Sequence, residues 1–192
     1  PPAQLSVADD IQWTALLEEG LLVANEFGVW WMGSGGRYQV FDSDGWLIRG
    51  VRQGHLDEDG VLDAVVWTDR EIHLFRGRNG GGVSFGAGLE SPDYSVVGVD
   101  IGDVSGDGQP DLVMNWISSD SAWMTVYEGN GFWQFEQQEP RHLASNPTGI
   151  AIGSNTERER LEITVPNELG AWERFASFGD GVYLPIGPTV EV

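Results

Sequence analysis

Residues 99–114, VDIGDVSGDGQPDLVM, superpose on residues 51–66, VRQGHLDEDGVLDAVV, when the chain is shifted by 48 positions. Glycines coincide at Gly54/Gly102 and Gly60/Gly108, and aspartates at Asp59/Asp107 and Asp63/Asp111. Self-similarity at a fixed period of this size is the signature of a repeat architecture. A further step reaches residues 150–165, IAIGSNTERERLEITV, where Gly153 matches Gly102 and Glu162 matches Asp111, although the acidic pattern between them is gone. Stepping backwards, residues 11–27, IQWTALLEEGLLVANEF, fit the same frame with a shortened loop. The chain therefore divides into four copies, approximately 1–45, 46–93, 94–144 and 145–192, within one domain.

The downstream half of each copy repeats as well. GVWWMGSGGRYQVF, EIHLFRGRNGGGVSF, AWMTVYEGNGFWQF and AWERFASFGDGVYL each read as a strand, a glycine-rich turn and a second strand. The turns Gly33-Ser34-Gly35-Gly36, Asn79-Gly80, Gly129-Asn130-Gly131 and Gly179-Asp180-Gly181 hold the residue types that tight hairpins require. Four short strands per copy, at roughly 40–50 residues per repeat, predict an all-β propeller in which each copy is one four-stranded blade. Three arrangements stay open: a closed four-bladed ring, an open fan that completes a ring with a second copy, and part of a larger ring. A sandwich or a tandem hairpin array is the alternative architecture.

Composition narrows the function classes. Thirty acidic residues face ten basic ones, all of them arginine, for a net charge of -20. Such a surface repels phosphate backbones and anionic lipid, so nucleic acid is excluded as a partner. The apolar runs are far shorter than the roughly 20 residues of a membrane-spanning helix, and no insertion is expected. With no cysteine there is neither a disulfide nor thiolate chemistry. His55, His73 and His142 fall in different copies without zinc-ligand spacing, and no serine sits in a nucleophile-elbow pattern. The expectation is a non-catalytic protein.

The stretch GDVSGDGQPDLVM in the third copy resembles the calcium loop of FG-GAP or VCBS repeats, the blades of the integrin α-subunit propeller and of several lectins. Oxygens at alternate positions, Asp103, Ser105 and Asp107, suit a hard cation; Gly108 permits the turn, the Gln109 carbonyl adds a ligand, and Asp111 closes the set at the ninth position. An EF-hand would place a glutamate at the twelfth position, which here is Met114. The second copy keeps Asp57, Asp59, the Val61 carbonyl and Asp63 but begins with His55, a poor calcium ligand. That loop is open between weak binding, substitution by Glu58 or water, and no ion. In the fourth copy Ser154, Thr156, Arg158 and Glu162 occupy the matching positions, and an Arg158–Glu162 pair is expected in place of an ion. One Ca2+ is expected, with a second possible in the His55 loop.

The resemblance implies an extracellular or cell-surface location and a stabilising role for calcium. Two kinds of partner remain, a glycan or another surface protein, and a homo-oligomer is compatible with both. Trp30, Trp31, Trp123 and Trp172 fall in third strands, where packing between blades is expected. Trp67 and Trp116 instead lead into polar loops containing Asp69 and Asp120. An aromatic ring beside acids and hydroxyls is what a sugar requires, so these four residues are candidate carbohydrate contacts.

Overall fold

The computed structural model describes residues 11–26, 28–33, 36–90, 95–155, 160–179, 181–187 and 190–191. Among them every regular element is a β-strand. The first sheet is a meander of β1 (Trp13–Leu17), β2 (Gly20–Asn25), β3 (Gly28–Gly33) and β4 (Gly36–Asp42). The second repeats it with β5 (Ile48–Gly54), β6 (Asp63–Thr68), β7 (Glu71–Gly77) and β8 (Val83–Glu90). β9 (Ser95–Gly102), β10 (Asp111–Ile117), β11 (Ala122–Gly129) and β12 (Phe135–Gln137) form the third, and β14 (Ala151–Asn155), β15 (Arg160–Pro166), β16 (Ala171–Ser177) and β17 (Tyr183–Pro185) the fourth. All pairings are antiparallel.

The expected four strands per copy are thus present, with two additions. In the last two sheets the outer strand is interrupted: β13 (Arg141–His142) also pairs with β11, and β18 (Val190–Glu191) with β16. Pro140, which has no N–H to donate, lies in the first of these breaks. The turn residues Ser34, Gly35 and Asp180 lie outside the described residues.

β6 and β10, the second strands of the middle two repeats, are largely apolar because they are covered on both faces. All six residues of β6 are buried, as are the first six of β10. The sheets group into two compact units. In the first, Leu22, Ala24, Val29 and Trp31 of the first sheet share a core with Ala64, Val66 and Phe75 of the second. In the second, Val113, Met124 and Val126 pack with Ile163, Val165, Phe175 and Tyr183. Polar contacts also tie that unit's sheets together: Ile152 N–H donates to Asp100 Oδ2 at 2.8 Å, the Asn115 amide donates to the Gly149 carbonyl, and the Tyr183 hydroxyl donates to Glu128 Oε1 at 2.7 Å.

Local irregularities make room for large side chains. β5 shifts register between Ile48 and Gly50, and Gly50 lies under the indole of Trp67. A Cβ at position 50 would sit 2.1 Å from the Trp67 ring. Gly50→Ala is therefore expected to lower stability by about 1–3 kcal/mol, read as an earlier midpoint in urea unfolding with an unchanged slope.

Candidate functional site

Loop 103–111 joins β9 to β10, and its carboxylates organise it from within. Asp103 Oδ1 accepts from Gly106 N–H (2.7 Å) and the Ser105 hydroxyl (3.3 Å), and its Oδ2 from Gly108 N–H (2.9 Å). Asp107 Oδ1 accepts from Gln109 N–H at 2.8 Å. Gly106 and Gly108 have φ of 85° and 90°, a conformation that costs glycine little and other residues more.

Asp111 is fully buried at the base of the loop. Its Oδ2 takes the N–H groups of Val104 (2.9 Å) and Ser105 (2.8 Å), and its Oδ1 takes that of Gly129 at the end of β11 (3.0 Å). Burial pushes the Asp111 carboxyl above the ordinary range, and these N–H donors pull in the opposite direction. One side chain thus fastens the loop to the strand beside it.

Loop 55–63 has a base of the same kind. Asp63, also fully buried, accepts from Gly77 N–H at the end of β7 (2.8 Å), and Asp59 Oδ1 accepts from Val61 N–H (2.8 Å). Its remaining oxygens meet different partners. Arg76 approaches Asp59 Oδ2 at 3.3 Å, His55 Nδ1 lies 3.2 Å from the Val61 carbonyl, and Trp133 Nε1 donates to Asp57 Oδ2 at 2.6 Å.

Among the described residues no three Asp, Glu or His side chains form a cation-binding group. The two loops nevertheless differ in donor chemistry. Loop 103–111 offers only hard oxygens, and its carboxylates are contacted by the loop's own N–H and hydroxyl groups and by Gly129. That set fits calcium in kind. In loop 55–63 a guanidinium, an indole and an imidazole already face three of the four expected ligands, and the set does not fit. Trp133→Phe removes the N–H from buried Asp57 and is expected to lower stability by about 1–3 kcal/mol, measured by thermal melting in chelator.

Residues 55–114 match the model of the FG-GAP-like repeat. This stretch is similar to FG-GAP-like repeats. It spans the two loops and the strands between them. No curated protein matches the chain significantly. Among solved structures, the chain is similar to a β-propeller in the crystal structure of BBS1N in complex with ARL6DN, soaked with lead. The TM-score is 0.67 at 12% identity, over 97% of this chain and 59% of that one. The likeness is one of fold, and the chain spans about three fifths of that propeller chain.

The remaining expected residues lie outside these two loops. In the fourth copy Thr156 and Arg158 lie outside the described residues; Glu162 has Arg174 Nη1 at 3.8 Å, an ion pair supplied by β16. Trp67 and Trp116 are 8% and 6% exposed. Trp116 stacks on Trp123 with ring centroids 5.6 Å apart and donates its N–H to Thr125. Neither ring offers a free face of the kind a sugar would cover. Asp69 pairs with Arg49, and Asp120 accepts from the hydroxyls of Ser118 and Ser119. Trp30 and Trp31 are packed as expected, whereas Trp172 is 40% exposed because its position in β16 turns it outward.

Two functional positions escaped the sequence reading. Gly77 and Gly129 receive the basal aspartates of the two loops, and a Cβ on either would lie 2.2 Å from the Leu62 carbonyl oxygen or 2.1 Å from that of Pro110. The signal was a glycine closing the third strand in both copies, obscured because the hairpins before it differ in length.

Proposed function

We propose that the four sheets are blades of a β-propeller that serves as a protein-interaction module and carries no catalytic activity. What supports this most is the combination of FG-GAP-like repeats with a fold similar, over 97% of the chain, to a propeller found in complex with a protein. Propellers present their loops as a broad, preformed surface, which suits a macromolecular partner. The carbohydrate reading is weaker, because the two tryptophans on which it stood are packed. The test is a paired screen on a glycan array and on arrayed surface proteins. Saturable binding to a protein, with no glycan retained, is expected; glycan binding abolished by Trp116→Ala in a folded variant would overturn it.

Calcium in loop 103–111 is the structural part of the proposal, with Asp103, Ser105, Asp107, the Gln109 carbonyl and Asp111 as ligands. The ion would neutralise carboxylates crowded into one loop and hold it in the folded form. At a hundredfold excess over its Kd it would stabilise by about 2.7 kcal/mol, or roughly 5–11 °C for a chain of this size. That rise is expected in wild type and not in Asp107→Ala, with melting followed in calcium and in chelator.

A further inference from the structure

The turn between β11 and β12 is built to hold one aromatic ring in water. Phe132 is 74% exposed, the most exposed of the aromatic side chains described. Single exposed apolar residues are ordinary and call for no explanation. What sets Phe132 apart is the rigidity of its support. Asn130 closes the turn with its N–H on the Gln134 carbonyl (3.1 Å), its side-chain amide on Gln134 Oε1 (2.8 Å) and its Oδ1 accepting from Phe132 N–H (3.0 Å).

The next residue, Trp133, has a φ of 61°, a left-handed conformation unfavourable for a bulky side chain. It is held there while its indole N–H donates to Asp57. Phe132 itself forms a β-bridge with Asp57. Beneath the turn, a Cβ at Gly131 would lie 2.2 Å from Gln109 Oε1, and the Gln109 amide donates to Glu58 Oε1 at 2.8 Å. Residues fixed in sparsely populated backbone regions concentrate at ligand-binding sites, where the surrounding structure over-determines them.

We propose that Phe132 is the central anchor of a docking surface for a basic protein partner, one that presents lysine or arginine around an apolar socket. This rests on the protein-interaction reading above. The anchor is a rigid aromatic, the type that dominates binding energy at interfaces. Charge names the partner. Glu58, an exposed carboxylate outside the proposed calcium set, borders the turn through Gln109. With a net charge of -20 and no lysine in the chain, a second copy would meet like charge, whereas a basic surface is attracted and can add cation–π contact to the ring.

The probe is a set of short synthetic peptides with a central leucine pair, half flanked by lysine and arginine and half by glutamate, titrated against the whole chain by fluorescence anisotropy. The basic half is expected to bind, to weaken as salt is raised, and to lose at least about tenfold in affinity in Phe132→Ser, whose melting temperature stays that of wild type. Basic peptides that bind wild type and Phe132→Ser equally would overturn the surface and leave the module reading standing. No preference for the basic half would overturn the partner's chemistry, and a wild-type dimer that Phe132→Ser dissociates would reassign the ring to self-association.

Discussion

Asp111→Ala is expected to cost about 3–5 kcal/mol, the largest loss of any single polar truncation among the described residues. The substitution strands three backbone N–H groups, those of Val104, Ser105 and Gly129, two of them on buried residues. Each unsatisfied buried donor costs about 1–3 kcal/mol, and water can reach only the Ser105 end of the set. For a chain of this size the loss corresponds to a fall in melting temperature of roughly 6–20 °C. The deficit should persist in chelator, because the partners lost are backbone groups and not an ion. Asp111→Asn keeps one acceptor and is expected to fall between wild type and alanine. Differential scanning calorimetry of the three proteins in chelator checks the order.

Gly129→Ala attacks the same junction from the other side. The added methyl would lie 2.1 Å from the Pro110 carbonyl oxygen, and the group it meets is backbone that cannot rotate away. β11 must draw back, and the Gly129 N–H then leaves Asp111. Overpacking of this kind together with the lost hydrogen bond is expected to cost about 3 kcal/mol or more. Gly77→Ala is expected to act in the same way through Leu62 and Asp63. By contrast Gly153, where an added Cβ meets nothing within 4 Å, should accept alanine with little change. Urea unfolding midpoints of the three variants separate these cases.

The four-strand repeats were legible because their determinants are local. Period-two apolar runs and glycine turns sit within one copy and report on the backbone directly, and the 48-residue offset between Asp63 and Asp111 marks the repetition from one copy to the next. The roles of tryptophans were less legible. Trp116 leads into a polar loop in sequence, but its burial depends on Trp123 across the hairpin and on the hydroxyl of Thr125. The partners of the His55 loop could not be read either. Asp57 is met by Trp133 from another repeat, 76 positions away, and no spacing rule links them. Glu162 has Arg174 of the neighbouring strand close enough to pair, while Arg158, the cation expected in its own loop, lies outside the described residues.

The central claim, that this propeller exists to bind another protein, is tested most directly by carbodiimide cross-linking with mass spectrometry, performed on the chain together with the proteins that co-purify with it. The chain has 30 carboxylates and no lysine, so a link from one of its acidic side chains to a lysine must lead to a different polypeptide. The account predicts reproducible links from this chain's Asp and Glu residues to the lysines of one partner, lost when the chain is omitted. The absence of any such link, with a glycan retaining the chain in parallel, would contradict it.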